Sequence, residues 1–140
     1  MSLSELQKKL DYQFKDQSLL GLAVTHKSFN NDENNERLEF IGDSVLNIVI
    51  SEYLFNKFPN QKEGLLTRMR SHLVKGETLA NLANNINLLN HIKLSKGTSN
   101  LSENRKYSIL EGAIESIVGA VFLDSNFEQV RLFVLEMMNK

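Results

Sequence analysis

Apolar residues recur along the chain at intervals of three and four, the spacing of helices that bury one face. One proline and seven glycines leave little to interrupt such helices. No run of four to eight residues alternates between apolar and polar side chains cleanly enough to predict a strand. The pattern therefore predicts an all-α domain. Its helices are predicted at residues 3–10, 17–25, 35–57, 62–73, 75–84, 109–123 and 126–138.

Three segments show the capping-box pattern, in which a serine and a glutamate three residues later satisfy free N–H groups at a helix start. They are residues 2–5, 108–111 and 125–128. A short loop is predicted at 30–35 and a longer polar one at 93–106. We find no internal repeat and no interdomain linker, so residues 1–140 are expected to form one domain.

The composition of the chain excludes several kinds of chemical site. The chain has no cysteine, which excludes disulfides, zinc–thiolate sites and thiol nucleophiles. The N-terminus lacks the apolar stretch of a signal peptide, and the longest apolar run, 117–123, is too short to span a bilayer. A soluble cytoplasmic protein without a membrane partner is expected. The formal net charge of −1 does not favour a nucleic-acid binder, although basic residues could still form a patch.

The most informative segment, residues 36–50, combines apolar positions with a narrow acidic stripe. At about 100° per residue, Glu36, Glu39, Asp43 and Asn47 fall within a stripe roughly 80° wide. Most other directions carry Leu, Ile, Val or Phe, so the helix should be largely buried. Three carboxylates on its polar side would repel one another and raise each other's pKa values. Such an arrangement calls for a compensating cation.

A solvent-exposed helix face explains the spacing of the stripe equally well, since most acids lie at the surface. Two observations favour a metal site. The stripe has no lysine or arginine three or four residues after its acids, as exposed helices often have. A second apolar helix, 109–123, also carries isolated acids, Glu111 and Glu115, and paired acidic helices resemble the carboxylate sites of helical bundles.

Oxygen ligands of this kind favour Mg²⁺ or Mn²⁺ over zinc or copper. The three histidines do not compete for this role. His26, His72 and His91 show no metal-ligand spacing with one another.

Residues 35–46, NERLEFIGDSVL, resemble the signature of the ribonuclease III family almost residue for residue. Residues 22–28, 63–70 and 108–124 also match that family in order and spacing. The resemblance implies an all-helical endonuclease domain that works as a homodimer, each subunit cutting one strand of double-stranded RNA. The expected products carry 5′-phosphates, 3′-hydroxyls and short 3′ overhangs, and the expected role is the processing of rRNA and mRNA precursors.

Carried over by position, the resemblance makes Glu39 and Glu115 ligands of Mg²⁺, which Mn²⁺ could replace. Asp43 would join them as a ligand and organise the attacking water. Glu36 and Glu63 would support catalysis, with Glu63 reaching toward the partner subunit. The chemistry is consistent, because phosphodiester hydrolysis needs a hydroxide and stabilisation of the leaving oxygen, which carboxylate-held metal ions supply.

The resemblance also implies contacts with other molecules. Phe40 corresponds to an aromatic that plugs a cavity in the partner subunit, although an ordinary core phenylalanine explains it equally well. Duplex RNA is recognised by shape and 2′-hydroxyls, so little sequence preference is expected. Six basic residues are candidate phosphate contacts, and each is also explained as a solvated surface charge. They are Lys27, Arg68, Arg70, Lys96, Arg105 and Lys106.

The chain departs from the family pattern in two respects. Gly112 stands where the family has an aspartate, which removes one metal-binding carboxylate. Glu111 forms an i, i+4 pair with Glu115 and is a candidate substitute ligand, but it also completes the predicted capping box at 108–111. No C-terminal double-stranded-RNA-binding domain like that of bacterial relatives is expected within residues 1–140, so RNA affinity should fall steeply with salt.

Three functional hypotheses follow. The first is a Mg²⁺-dependent endoribonuclease specific for double-stranded RNA. The second, motivated by Gly112, is a catalytically weakened or silent dimeric scaffold that binds duplex RNA. The third is a helical metal protein unrelated to RNA, which only the near-neutral charge supports.

Overall fold

The computed structural model describes residues 2–96 and 101–139, and within these ranges the chain is helical. Its α-helices are α1 (Leu3–Leu10), α2 (Gln17–Ala23), α3 (Glu36–Lys57), α4 (Glu63–Val74), α5 (Glu77–Asn85), α6 (Glu103–Asp124) and α7 (Phe127–Met138). A short 3-10 helix, Leu88–His91, follows α5. No strand forms in the described ranges, although Thr25 and Lys93 make one isolated bridge. The predicted all-α class is confirmed.

The two longest helices, α3 and α6, each have 22 residues and pack against each other at the centre of the molecule. Nearly every side chain of α6 between Ile109 and Val121 is buried, so this helix is the middle of the core. The remaining helices pack around the pair, with α4 against α3 and with α2, α5 and α7 against α6. None of the described helices is both long and apolar enough to cross a membrane.

Two glycines let α3 and α6 approach closely. A Cβ atom at Gly42 would overlap the carbonyl oxygen of Glu115, and one at Gly119 would overlap that of Leu38. The absence of both side chains therefore brings the two backbones into contact. This contact fixes where the acids of α3 lie relative to those of α6.

The start of α6 differs from the prediction. The helix begins at Glu103, where the Ser102 hydroxyl accepts a hydrogen bond from the Arg105 N–H at 3.3 Å. Ser108 lies inside the helix, so the predicted capping box at 108–111 is wrong. The loop predicted at 93–106 extends too far, because its residues 103–106 belong to α6. Its residues 97–100 lie outside the described residues.

Other helix ends are closer to the prediction. The Ser2 hydroxyl caps α1 by accepting from the Glu5 N–H, as predicted. For α7 the capping side chain is Asn126, which accepts from the Gln129 N–H at 2.9 Å, and not Ser125. An asparagine amide oxygen caps a helix as well as a hydroxyl does, which explains the one-residue shift.

Candidate active site

Three of the predicted acids meet where α3 crosses α6. Glu39 and Asp43 lie one turn apart on α3, and Glu115 lies on the facing side of α6. Glu115 is only 7% exposed, Glu39 is half-buried and Asp43 is exposed. The side chains of Asp43 and Glu115 share a hydrogen bond. The Asn47 amide donates to the carbonyl oxygen of Asp43 at 2.8 Å, which continues the predicted stripe.

The environment of these acids disfavours their negative charge. Burial, the hydrogen bond with Asp43 and the charges of Asp43, Glu39 and Glu111 together raise the pKa of Glu115 to about 8. Burial also raises the pKa of Glu39, as do the nearby charges of Glu36, Glu111 and Asp43, while Lys27 acts in the opposite direction. Both shifts have the cause expected for like charges held in a protein interior.

The residues fit a magnesium site by their chemistry. In the described part of the chain, no three Asp, Glu, His or Cys side chains stand in a ready-made metal-binding arrangement. However, Glu39, Asp43 and Glu115 offer only oxygen donors, which Mg²⁺ prefers, and a cation would offset the repulsion between them. These three carboxylates are therefore the candidate ligands, with some movement of their side chains on binding.

Gly112 borders the same site. A Cβ atom at Gly112 would lie 2.9 Å from Oε2 of Glu39, so the Glu39 carboxylate occupies the space that a side chain there would enter. The buried Ser116 hydroxyl bonds to the Gly112 carbonyl oxygen at 2.7 Å and to that of Asn35 at 3.1 Å. This contact joins the start of α3 to α6 beside Glu115. The sequence offered no sign of it, since a serine in an apolar helix has no periodic signal.

Glu111 lies one helical turn before Glu115 and is half-buried. Its charge contributes to the raised pKa values of both Glu39 and Glu115, so it lies near both. Since α6 begins at Glu103, Glu111 has no capping role.

The two supporting acids, Glu36 and Glu63, differ in their contacts with the cluster formed by Glu39, Asp43 and Glu115. Glu36 is the first residue of α3, raises the pKa of Glu39 and forms a loose ion pair with Lys27 at 3.9 Å. Glu63 begins α4, is exposed and accepts a hydrogen bond from the Thr67 hydroxyl at 3.0 Å. Across residues 2–96 and 101–139, no hydrogen bond or ion pair joins Glu63 to the cluster.

Two of the predicted RNA-contacting residues lie together beside the acids. Lys27 and Arg105 line a cavity of about 350 Å³ that also reaches Glu39 and Gly112. His26 lines the same cavity, and burial together with the charges of Lys27 and Arg105 lowers its pKa. The sequence did not indicate His26 as part of this surface, since a lone histidine carries no spacing signal.

The other basic candidates lie elsewhere. Arg68 and Lys96 are exposed. The Arg70 guanidinium donates to the Ser51 hydroxyl at 2.9 Å, which holds α4 against α3. Lys106 pairs with Glu103 at 3.5 Å on its own helix.

Phe40 projects from α3 and is 76% exposed, so the alternative of an ordinary core phenylalanine is wrong. It lies beside a cavity of about 1150 Å³ whose apolar lining includes Leu22, Phe29, Ile41 and Leu123. Phe29 and Leu123 are themselves more than half exposed. A large apolar surface of this kind on one chain is typical of an interaction site.

Comparison with known proteins identifies the family. A family model described as Ribonuclease-III-like matches residues 16–140. The chain belongs to the ribonuclease III family. Two relatives named Ribonuclease 3 resemble it throughout. The one from Pseudomonas syringae pv. syringae is 49% identical over 135 residues, or 96% of this chain, and the one from Vibrio parahaemolyticus is 47% identical over 137 residues, or 98%. This ribonuclease III domain spans only 58% and 60% of their respective lengths.

Solved structures agree with this assignment. The nuclease domain of ribonuclease III from Campylobacter jejuni superposes with a TM-score of 0.94 at 43% identity, covering 99% of this chain and 96% of that one. Dicer from Pichia stipitis superposes with a TM-score of 0.64 at 32% identity over 79% of this chain and 47% of that one. The helical fold and the family of this ribonuclease III domain are therefore as predicted.

Proposed function

We propose that this ribonuclease III domain is a Mg²⁺-dependent endoribonuclease that cleaves double-stranded RNA. Its products carry 5′-phosphates, 3′-hydroxyls and short 3′ overhangs. The observation that supports this function is the convergence of Glu39 and Asp43 on α3 with the buried Glu115 on α6.

Each acid has a distinct part in the proposed reaction. Glu39, Asp43 and Glu115 hold Mg²⁺, or Mn²⁺ in its place, with Glu36 supporting Glu39 at the start of α3. The ion, when bound, supplies an activated hydroxide and neutralises the developing charge on the leaving oxygen. Asp43 is the exposed member of the set and so faces the incoming water, which it orients toward the phosphate.

The proposed enzyme is a homodimer in which each subunit cuts one strand. The exposed Phe40 of one subunit enters the partner's cavity next to its own Phe40, burying apolar surface on both. In the Campylobacter jejuni nuclease domain, structural flexibility occurs in a region involved in dimer formation. Glu63 then supports catalysis across the dimer, which is consistent with its bonding only to Thr67 among the described residues of its own chain.

Basic side chains next to the acids would hold the RNA backbone. Lys27 and Arg105 line the cavity beside Glu39, where they can pair with phosphates flanking the cleaved bond. Arg68, Lys96 and Lys106 are further contacts. Arg70 contributes less, since it is bonded to Ser51. The proposed role is the processing of rRNA and mRNA precursors in the cytoplasm.

Incubation of the purified chain with a long RNA duplex at low salt tests this function. We expect short products in Mg²⁺, none in EDTA, and little cleavage of a single-stranded RNA of the same sequence. Activity should also fall steeply as salt is added, because binding rests on phosphate contacts. Intact duplex after prolonged incubation with Mg²⁺ or Mn²⁺ would refute the proposal.

Gly112 motivates a second candidate function, a dimeric scaffold that binds duplex RNA without cutting it. The position beside Glu39 contributes no carboxylate, and this loss could abolish chemistry while leaving the fold intact. A gel-shift assay combined with denaturing electrophoresis discriminates the two. The scaffold predicts shifted RNA that stays full length in Mg²⁺, together with cleavage once Gly112→Asp adds the carboxylate.

A further inference from the structure

We propose that Glu111 is itself a ligand of the metal ion, so that this chain carries at position 111 the carboxylate that Gly112 cannot provide. The inference rests on the proposed function, since it concerns the same metal site. It predicts that the metal site needs one carboxylate from this part of α6, and that either position 111 or position 112 can provide it.

The position of Glu111 on α6 supports this assignment. Residues 111 and 115 are one turn apart, and at about 100° per residue their side chains leave the helix within about 40° of each other. The charge of Glu111 acts on Glu115 and also on Glu39, which lies on the opposite helix. Glu111 therefore projects from the same side of α6 as Glu115 and acts electrostatically on acids of both helices.

Glu111 has no other visible role. It is half-buried, yet it makes no hydrogen bond or ion pair with any described residue. A half-buried carboxylate that no protein group pairs with is available to coordinate a cation. The charge of Glu111 raises the pKa values of Glu39 and Glu115, and a bound metal ion would offset this repulsion.

The geometry at Gly112 explains why acids at positions 111 and 112 should not occur together. The Glu39 carboxylate rests against Gly112, with Oε2 2.9 Å from where a Cβ atom would stand. An aspartate at 112 would displace Glu39 and place a fifth carboxylate in the site, beside Glu39, Asp43, Glu111 and Glu115. Both variants place a side chain against Glu39, but only Gly112→Asp alone raises the number of carboxylates to five. Gly112→Asp should therefore destabilise the metal-free protein more than Gly112→Asp combined with Glu111→Ala.

A four-protein cycle tests the proposal: the wild type, Glu111→Ala, Gly112→Asp and the double variant. Mn²⁺ affinity is measured by titration calorimetry, and the rise in Tm on adding Mg²⁺ is measured in parallel. We expect Glu111→Ala to weaken Mn²⁺ binding by about tenfold or more and the double variant to recover most of that loss. Glu103→Ala, which removes an exposed acid from the same helix, is the matched control and should bind Mn²⁺ like the wild type.

The opposite results separate the two claims. Wild-type Mn²⁺ affinity in both Glu111→Ala and Glu111→Gln would overturn the role of Glu111 while leaving the proposed nuclease untouched. A double variant that binds no better than Glu111→Ala would also overturn the exchange between positions 111 and 112. A wild-type chain that binds neither Mn²⁺ nor Mg²⁺ would refute the metal-dependent function together with this inference.

Discussion

Glu115 is a carboxylate that the fold keeps almost entirely out of water. With its pKa near 8, it is mostly protonated at neutral pH when no cation is bound, and it shares a hydrogen bond with Asp43. A buried acid of this kind is typical of a functional site, because it adds nothing to the packing that an apolar residue would not supply better.

His91 is the second buried titratable residue with an unusual environment. The Lys9 ammonium lies 3.3 Å from its Nε2 and also donates to the Ile86 carbonyl oxygen at 3.1 Å. An ammonium can only donate, so Nε2 accepts and the proton of the neutral ring is on Nδ1. Nδ1 is buried and has no hydrogen-bond partner among the described atoms. Burial, and next the charge of Lys9, lowers the pKa of His91.

This environment predicts acid-sensitive stability. At pH values between the lowered folded pKa of His91 and the unfolded value near 6.5, the unfolded chain binds more protons at this residue, so its contribution to the free energy of unfolding decreases as pH falls below about 6.5. The raised pKa values of Glu115 and Glu39 act in the opposite direction over the same range, so the test compares two proteins. On going from pH 7.5 to 5.5, urea unfolding should show that His91→Gln gains stability relative to the wild type. His26 contributes in the same direction, since its pKa is also lowered. His72→Gln, which replaces an exposed histidine, is the matched control.

At the scale of helices, the contact between α3 and α6 determines whether the site exists. Gly42→Ala would drive a methyl group into the carbonyl of Glu115, a backbone atom that cannot turn aside. We expect a loss of about 3 kcal/mol or more in the free energy of unfolding, as for severe overpacking. Thermal or urea unfolding measures it.

Gly64 provides the matched control for that substitution. A Cβ atom at Gly64, in the first turn of α4, would have nothing within 4 Å. Gly64→Ala should therefore be neutral or stabilise the protein by up to about 1 kcal/mol, through helix propensity alone. Equal effects of the two alanines would contradict the close-contact account.

Helix content was predictable from the sequence, but not every helix boundary. The apolar spacing gave the long helices α3 and α7 to within a residue or two. The start of α6 was missed because residues 103–108 are mostly polar and mostly exposed, so they carry no apolar period. Their helix is capped by Ser102. The pattern at Ser108 to Glu111 fits a capping box by chance, since side-chain spacing alone cannot distinguish a helix start from its interior.

For the whole molecule, Phe40 should decide the association state. Phe40→Ser removes an apolar side chain that the proposed dimer buries in the partner's cavity, at a cost of about 2 kcal/mol or more per subunit interface. Sedimentation velocity at micromolar concentration should show a dimer for the wild type and a shift toward monomer for the variant. Phe55→Ser is the control, because Phe55 is 71% exposed on the same helix but does not line that cavity. A wild-type monomer would contradict the proposed assembly.

The candidate site was predictable as a set of residues but not as an arrangement. The stripe Glu36, Glu39 and Asp43 follows from helical periodicity. Glu115 was indicated as an isolated acid on a second apolar helix, and the family resemblance added its role as a ligand. Periodicity could not show that Gly112 faces the Glu39 carboxylate, because that depends on how closely α3 and α6 approach. The shared cavity of Lys27 and Arg105 was equally hidden, since the two residues lie far apart in the chain.

The most direct test of the nuclease centre compares the wild type with Glu115→Gln on a long RNA duplex in Mg²⁺ under single-turnover conditions. Glutamine keeps the size of the side chain and the fold, but it cannot become a charged metal ligand. The account predicts cleavage by the wild type and a rate at least about a hundredfold lower for the variant, with unchanged RNA binding. Equal cleavage rates would contradict the assignment of the active site to the crossing of α3 and α6.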